Sequence, residues 1–155
     1  SGSGSGSGSA SGSASGTEEA SLCVYDSGSP GSGSPAATVE IALDEFSISV
    51  DGEVPVGVVT FEAVNEGEED HEVVIAQSDT ADLPTDDDGA ADESQLPAGA
   101  LLGEIEAFPA GESHACDFEL EPGSYVLFCN VVEEEEGGEI EAHFSEGMVT
   151  TIEVG

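Results

Sequence analysis

The fold that we predict for this chain is decided by the segment Leu120-Glu121-Pro122-Gly123-Ser124-Tyr125-Val126-Leu127-Phe128-Cys129-Asn130. Its Pro122-Gly123 pair is typical of a tight turn. The apolar run at residues 125–129 has the length and the aromatic and β-branched composition of a buried strand. The segment therefore predicts a turn followed by a short strand that ends at a cysteine.

Further short strands are predicted on both sides of this segment. Val39, Ile41 and Leu43 alternate with less apolar residues, which is the period of a half-buried strand. Similar runs recur at residues 46–50, 54–61, 73–75, 101–108, 116–120 and 149–154. The polar, acidic residues 77–99 are predicted to form a long loop with a helical turn near residues 90–95. Seven or eight short strands without a long helix predict an all-β protein, a β-sandwich with Greek-key connections.

Four residues with metal-binding side chains lie at the ends of predicted strands. They are His71 at the start of one strand, Cys129 at the end of another, His143 in the next loop and Met148 just before the last strand. Strand ends that meet at one pole of a sandwich can bring such side chains together. Two imidazoles, a thiolate and a weak axial thioether form the ligand set of a blue-copper site. The sequence therefore predicts one type 1 copper ion at these four residues.

The segments that carry these ligands resemble the cupredoxin family, in particular the plastocyanin-like and halocyanin-like proteins of haloarchaea. They are Asn65-Glu66-Gly67 leading to His71-Glu72-Val73-Val74-Ile75, the segment 120–130, and His143-Phe144-Ser145-Glu146-Gly147-Met148. The resemblance covers about residues 38–154. It implies a cupredoxin domain and electron transfer by copper cycling between Cu(I) and Cu(II). In the family the second imidazole reaches the surface, so the resemblance also implies that electrons leave through His143.

The chain departs from the family pattern between Cys129 and His143. Thirteen residues separate the two ligands, where the family pattern has only a few. The insertion contains four consecutive glutamates at residues 133–136, followed by two glycines, and is predicted to form a hairpin. Negative charge at this place is expected to favour Cu(II) and to lower the reduction potential.

Two further cysteines, Cys23 and Cys116, lie outside the predicted copper site. Cys116 shares a strand face with Phe118 and Leu120, so it could be a small core residue. An extracellular location would instead favour a disulfide between the two cysteines, within one chain or between chains. The sequence leaves these alternatives open.

The N-terminal part of the chain differs in composition from the rest. Residues 1–37 are predicted to be a flexible Ser/Gly/Pro-rich tether, and residues 38–155 the cupredoxin domain. A short apolar island at residues 20–26 interrupts the tether and could add a strand to a sheet edge, on this chain or on a neighbour. The tether suggests a lipid anchor upstream, or self-assembly through residues 17–26.

The charge of the chain limits its partners. It has 35 acidic residues, no Lys and no Arg, for a formal net charge of −35. Without a fixed cation, electrostatic binding to nucleic acid or anionic lipid is excluded. Concentrated salt would screen the self-repulsion, because the Debye length falls to about 3 Å at 1 M. We therefore expect a halophilic source and redox partners that are basic or apolar at the contact.

Two classes of function follow from these observations. The first is electron transfer outside the cell, by a protein at the cell surface that is membrane-tethered or part of a surface assembly. The alternative is a structural subunit of a surface assembly or filament, joined by N-terminal strand addition, with or without a redox role. Catalysis is not expected, because four protein ligands leave no open position for a substrate.

Overall fold

The computed structural model describes residues 22–134 and 137–155. The predicted Ser/Gly segment at residues 1–16 and residues 17–21 of the predicted assembly segment lie outside this range. The described strands are β1 (Cys23–Tyr25), β2 (Ala37–Asp44), β3 (Ser47–Val50), β4 (Gly57–Asn65), β5 (His71–Gln77), β6 (Leu101–Phe108), β7 (Ser113–Leu120), β8 (Gly123–Phe128), β9 (Val132–Glu134), β10 (Ile140–Ala142) and β11 (Val149–Val154). No helix long and apolar enough to cross a membrane occurs in the described ranges.

Two sheets pack against each other as a sandwich. The first sheet has the strand order β1-β6-β5-β8-β11, and the second has the order β3-β2-β4-β7. Strands β2 and β4 are parallel, whereas the other pairs within the two sheets are antiparallel. The predicted all-β Greek-key sandwich is therefore confirmed. Each of the eight predicted strands has a counterpart, and the three additional strands, of three residues each, are β1 in the apolar island and β9 and β10 in the predicted hairpin.

The core lies between the two sheets. Alternate side chains of β2 point into the core, as the two-residue period of its apolar residues predicts. Buried apolar side chains of β4, β7 and β8 belong to the same core. The fully buried large residues of this core include Ile41, Leu43, Phe61, Ile105, Phe118 and Leu127. Burying one such side chain stabilises the fold by about 1.5–3 kcal/mol.

A second apolar cluster covers the outer face of β5 and β8. It contains Val74, Ala76, Val126, Phe128 and Phe144, together with Leu83 and Ala91 from the long loop after β5. Both faces of β5 and β8 are thus buried, which explains why β8 is an uninterrupted apolar run rather than an alternating one. The predicted helical turn in the loop is a 3-10 turn at Glu93–Gln95.

The apolar island forms the edge strand β1 of its own domain. β1 runs antiparallel to β6, with Cys23 opposite Ile105. The hydroxyl of Tyr25 donates a hydrogen bond to the carbonyl of Asp117 at 2.7 Å. Cys23 and Cys116 form an intrachain disulfide. Because Cys116 lies on β7, this bond joins the edge strands of the two sheets.

Candidate metal centre

Strand pairing brings the predicted ligands to one pole of the sandwich. β5 and β8 are antiparallel neighbours, with Val74 opposite Phe128. The beginning of β5, where His71 lies, is therefore next to the end of β8, which Cys129 follows. β11 pairs with the other side of β8, and its first residue, Val149, also lies opposite Phe128.

Backbone hydrogen bonds hold the other two predicted ligands at this pole. The N–H of Cys129 donates to the carbonyl of Met148 at 3.0 Å, and the N–H of Met148 donates to the carbonyl of His143 at 3.2 Å. The N–H of His143 donates to the carbonyl of Val131 at 3.0 Å. The thirteen-residue insertion forms the hairpin β9–β10, in which Ala142 lies opposite Val132. Because the two ends of the hairpin lie next to each other, His143 stays close to Cys129.

The ligand atoms of three residues converge. The Sγ atom of Cys129 lies 3.8 Å from Nδ1 of His71 and 3.5 Å from Nδ1 of His143. These three donor atoms all lie within 4.8 Å of one another. Both imidazoles and the thiol are fully buried. Met148 is also fully buried, in the same core cluster as Cys129.

The surroundings of Cys129 determine the state of its thiol. The N–H of Glu72 donates to Sγ at 3.4 Å. Burial nevertheless raises the pKa of the Cys129 thiol to about 12 in the protein alone, and the nearby carboxylates of Glu72 and Glu133 add to this effect. A bound metal cation is therefore needed to hold the sulfur as a thiolate at neutral pH.

The imidazole of His143 is kept neutral. Burial, and then the neighbouring imidazole of His71, lower its pKa below the ordinary value, although the carboxylates of Glu133 and Glu69 oppose the shift. A neutral imidazole is the form that binds a metal ion.

The expectation that the edge of His143 reaches the surface is wrong. Its Nε2 atom lies 3.1 Å from a carboxylate oxygen of Glu69 and 3.7 Å from one of Glu133. A carboxylate of Glu141 belongs to the same cluster. The ring of Phe46 packs edge-on against the imidazole, with the ring centroids 5.0 Å apart. Side chains from the hairpin and from the loops before β3 and β5 thus surround His143 and leave it fully buried.

The residue that contacts the far side of His71 is not among the predicted site residues. Nε2 of His71 lies 2.8 Å from Oε2 of Glu45, which follows β2. Partial burial raises the pKa of Glu45, but the N–H groups of Glu69 and Glu68 and the imidazole of His71 outweigh it, so the net pKa is below the ordinary value. Glu45 is one of 35 acidic residues and lies 26 positions before His71, so no local pattern marks it.

The donor set fits copper. Two imidazoles present Nδ1 towards one buried sulfur, and the only methionine of the chain is held beside them by its backbone. A thiolate and a thioether favour Cu(I), whereas imidazoles accommodate Cu(II).

Comparison with known proteins identifies the fold. No family model and no curated protein matches the sequence. Among solved structures, the chain is similar to auracyanin B, with 21% identity and a TM-score of 0.52 over 80% of this chain and 92% of that one. It is also similar to dithionite-reduced auracyanin from Roseiflexus castenholzii, with 22% identity and a TM-score of 0.52 over 79% of this chain and 99% of that one. Reduced rusticyanin is similar as well, with 17% identity and a TM-score of 0.50 over 81% of this chain and 88% of that one. These neighbours are cupredoxins, so the sandwich has the cupredoxin-like fold.

Proposed function

We propose that this protein carries single electrons at a mononuclear type 1 copper centre held by His71, Cys129, His143 and Met148. The observation that carries the proposal is the buried convergence of two imidazole Nδ1 atoms on one cysteine sulfur. The cupredoxin-like fold of the chain supports it. Copper supplies the one-electron chemistry, Cu(I) to Cu(II) and back.

The protein contributes rigidity and a closed site. His71 belongs to β5, and Cys129 follows directly after β8, in the middle of the first sheet. Ligands fixed in this way stay in place in both oxidation states, so little reorganisation accompanies electron transfer. Four protein ligands also leave no position for a substrate, which favours a carrier over an enzyme.

We also propose an extracellular location and a salt-rich environment. The disulfide between Cys23 and Cys116 supports an oxidising compartment. The net charge of −35 supports a medium that screens repulsion. With the three ligand segments, these features favour a halocyanin-like cupredoxin of haloarchaeal type.

The redox partner in this proposal is basic, or apolar, at its contact surface. The carboxylates of Glu69, Glu133 and Glu141 surround the imidazole of His143, and no lysine or arginine in the chain neutralises them. Opposite charge on a partner would steer the encounter. A lipid anchor upstream and self-assembly through residues 17–26 stay predictions.

The test is the visible spectrum of the purified protein in molar salt after addition of Cu(II). We expect an intense thiolate-to-copper absorption band that is absent in Cys129→Ser. The matched control replaces Cys23 and Cys116 by alanine, which removes two sulfur atoms but should leave the band. A wild-type protein that stays colourless and binds no copper would refute the proposal.

A further inference from the structure

Each imidazole at the copper pole faces a sulfur on one side and a carboxylate on the other. Nδ1 of His71 and Nδ1 of His143 face Cys129. On the far side, Nε2 of His71 is 2.8 Å from Glu45, and Nε2 of His143 is 3.1 Å from Glu69. Both imidazoles are fully buried, so these carboxylates take the place that water would have at an exposed ring.

The carboxylate of Glu45 is held in a defined position. It accepts hydrogen bonds from the N–H of Glu68 at 2.8 and 2.9 Å and from the N–H of Glu69 at 2.9 Å. Gly67 leaves the space that it fills, because a Cβ atom at Gly67 would overlap Oε2 of Glu45. The contact with His71 is therefore built into the loop between β4 and β5.

The same loop supplies the carboxylate for the other imidazole. The backbone N–H of Glu69 binds Glu45, while its side chain lies against His143. Asn65 fixes the loop, since its side-chain amide donates to the carbonyls of Glu69 and Phe108 at 2.8 and 2.9 Å. One short loop thus sets the surroundings of both imidazoles.

We propose that Glu45 is a positioning residue that holds His71 with the proton on Nε2 and Nδ1 free for the metal, and that the negative charges of Glu45 and Glu69 lower the reduction potential of the copper centre. This inference rests on the proposed copper function. A carboxylate that accepts the Nε2 proton makes the imidazole a more basic ligand. It stabilises Cu(II), the more positive ion, more than Cu(I). With no lysine or arginine in the chain, no fixed cation offsets this effect.

The test measures the midpoint potential of the copper-loaded protein in wild type, Glu45→Gln and Glu69→Gln. Each substitution keeps the shape of the side chain and an acceptor oxygen but removes the charge. We expect each variant to keep the visible band and to shift the ratio of reduced to oxidised copper at a fixed potential about tenfold towards Cu(I). A tenfold shift corresponds to about 59 mV for a one-electron couple.

The matched control is Glu68→Gln, which removes the same charge from the same loop, where the side chain is exposed. Its potential should stay close to that of the wild type. Equal shifts in all three variants would show that only total charge acts, and would overturn the proposal. If Glu45→Gln does not fold, Gly67→Ala displaces the Glu45 carboxylate without changing charge and should raise the potential similarly.

A second readout uses the copper-free protein. Nitrogen-15 NMR reports which ring nitrogen carries the proton, and we expect Nε2–H for His71 in the wild type and a mixture in Glu45→Gln. Nδ1–H in the wild type would overturn the proposal. A protein that fails to form the visible band with copper rejects the proposed function, whereas an intact band with unshifted potentials rejects only this inference.

Discussion

Asn65 shows how one side chain links the core to the copper pole. It is the only buried polar residue besides His71 and His143 among the residues that the structure describes. Its amide donates two hydrogen bonds, and its carbonyl oxygen accepts a third from the N–H of Gly67 at 3.0 Å. A buried polar group with all its partners fixes the backbone around it.

Replacement of Asn65 by alanine should therefore destabilise the protein. The carbonyl of Phe108 would lose its side-chain partner in the interior, and an unsatisfied buried group costs about 1–3 kcal/mol. Urea unfolding in molar salt measures the change. Ser124→Ala, which removes an exposed contact to Glu153, is the control and should change the free energy of unfolding by less than about 0.5 kcal/mol. An equal, small effect in both variants would contradict the role of Asn65.

Met148 offers a second prediction at the scale of one residue. Leucine has nearly the volume of methionine, so Met148→Leu should keep the fold and the visible band. It replaces the axial sulfur by a hydrocarbon and makes the surroundings of the copper more apolar, which favours the less charged Cu(I), so the midpoint potential should rise. Voltammetry measures the shift, with Ile105→Leu, a core substitution outside the ligand set, as the control. An unchanged potential in Met148→Leu would show that the thioether is not a ligand.

At the scale of elements, the sequence predicts strands well and their long-range contacts poorly. β8 and β11 are evident from apolar runs bounded by turns, and the ligands at their ends follow from that reading. The hairpin β9–β10 is also evident, from four glutamates followed by two glycines. The contacts that form around His143 at the end of this hairpin are not evident. The contact between His143 and Glu69, for example, joins residues that are 74 positions apart in the chain. Glu45 escapes prediction for the same reason.

Strand β1 is expected to depend on its disulfide. It has only three residues, and the bond closes a loop with a sequence separation of 93. Replacing both Cys23 and Cys116 by alanine should lower the free energy of unfolding by about 2–5 kcal/mol. Hydrogen exchange should also increase at β6, which would lose part of its partner. A reducing agent should destabilise the wild type but not the double variant, and equal sensitivity of both would contradict this account.

At the scale of the whole molecule, burial of carboxyl groups and repulsion between them make stability depend on pH. Burial, with the charges of Glu93, Glu106 and Asp26, raises the pKa of Glu104 on β6 above its ordinary value of 4.5. A carboxyl group whose pKa is higher in the folded than in the unfolded state stabilises the fold below pH 4.5. This contribution is lost as the pH rises through the folded-state pKa.

We therefore expect the free energy of unfolding to decrease as the pH is raised above 4.5. In Glu104→Gln the free energy of unfolding should decrease less over the same pH range. Urea unfolding over a series of pH values in constant molar salt measures it. Glu40→Gln removes one charge from an exposed site and should leave the slope nearly unchanged. A pH dependence that is identical in wild type and Glu104→Gln would exclude Glu104 as a cause.

The bond between the two edge strands also determines how the domain bears mechanical load. A pulling force applied to the chain before Cys23 enters the domain at the disulfide and passes directly to Cys116 on β7. The hydrogen bonds of β1 are bypassed, so the strand cannot be peeled from β6 starting at its N-terminal end. A domain pulled from its N-terminal side would thus carry the load on the covalent bond to β7 before it strained the pairing of β1 with β6.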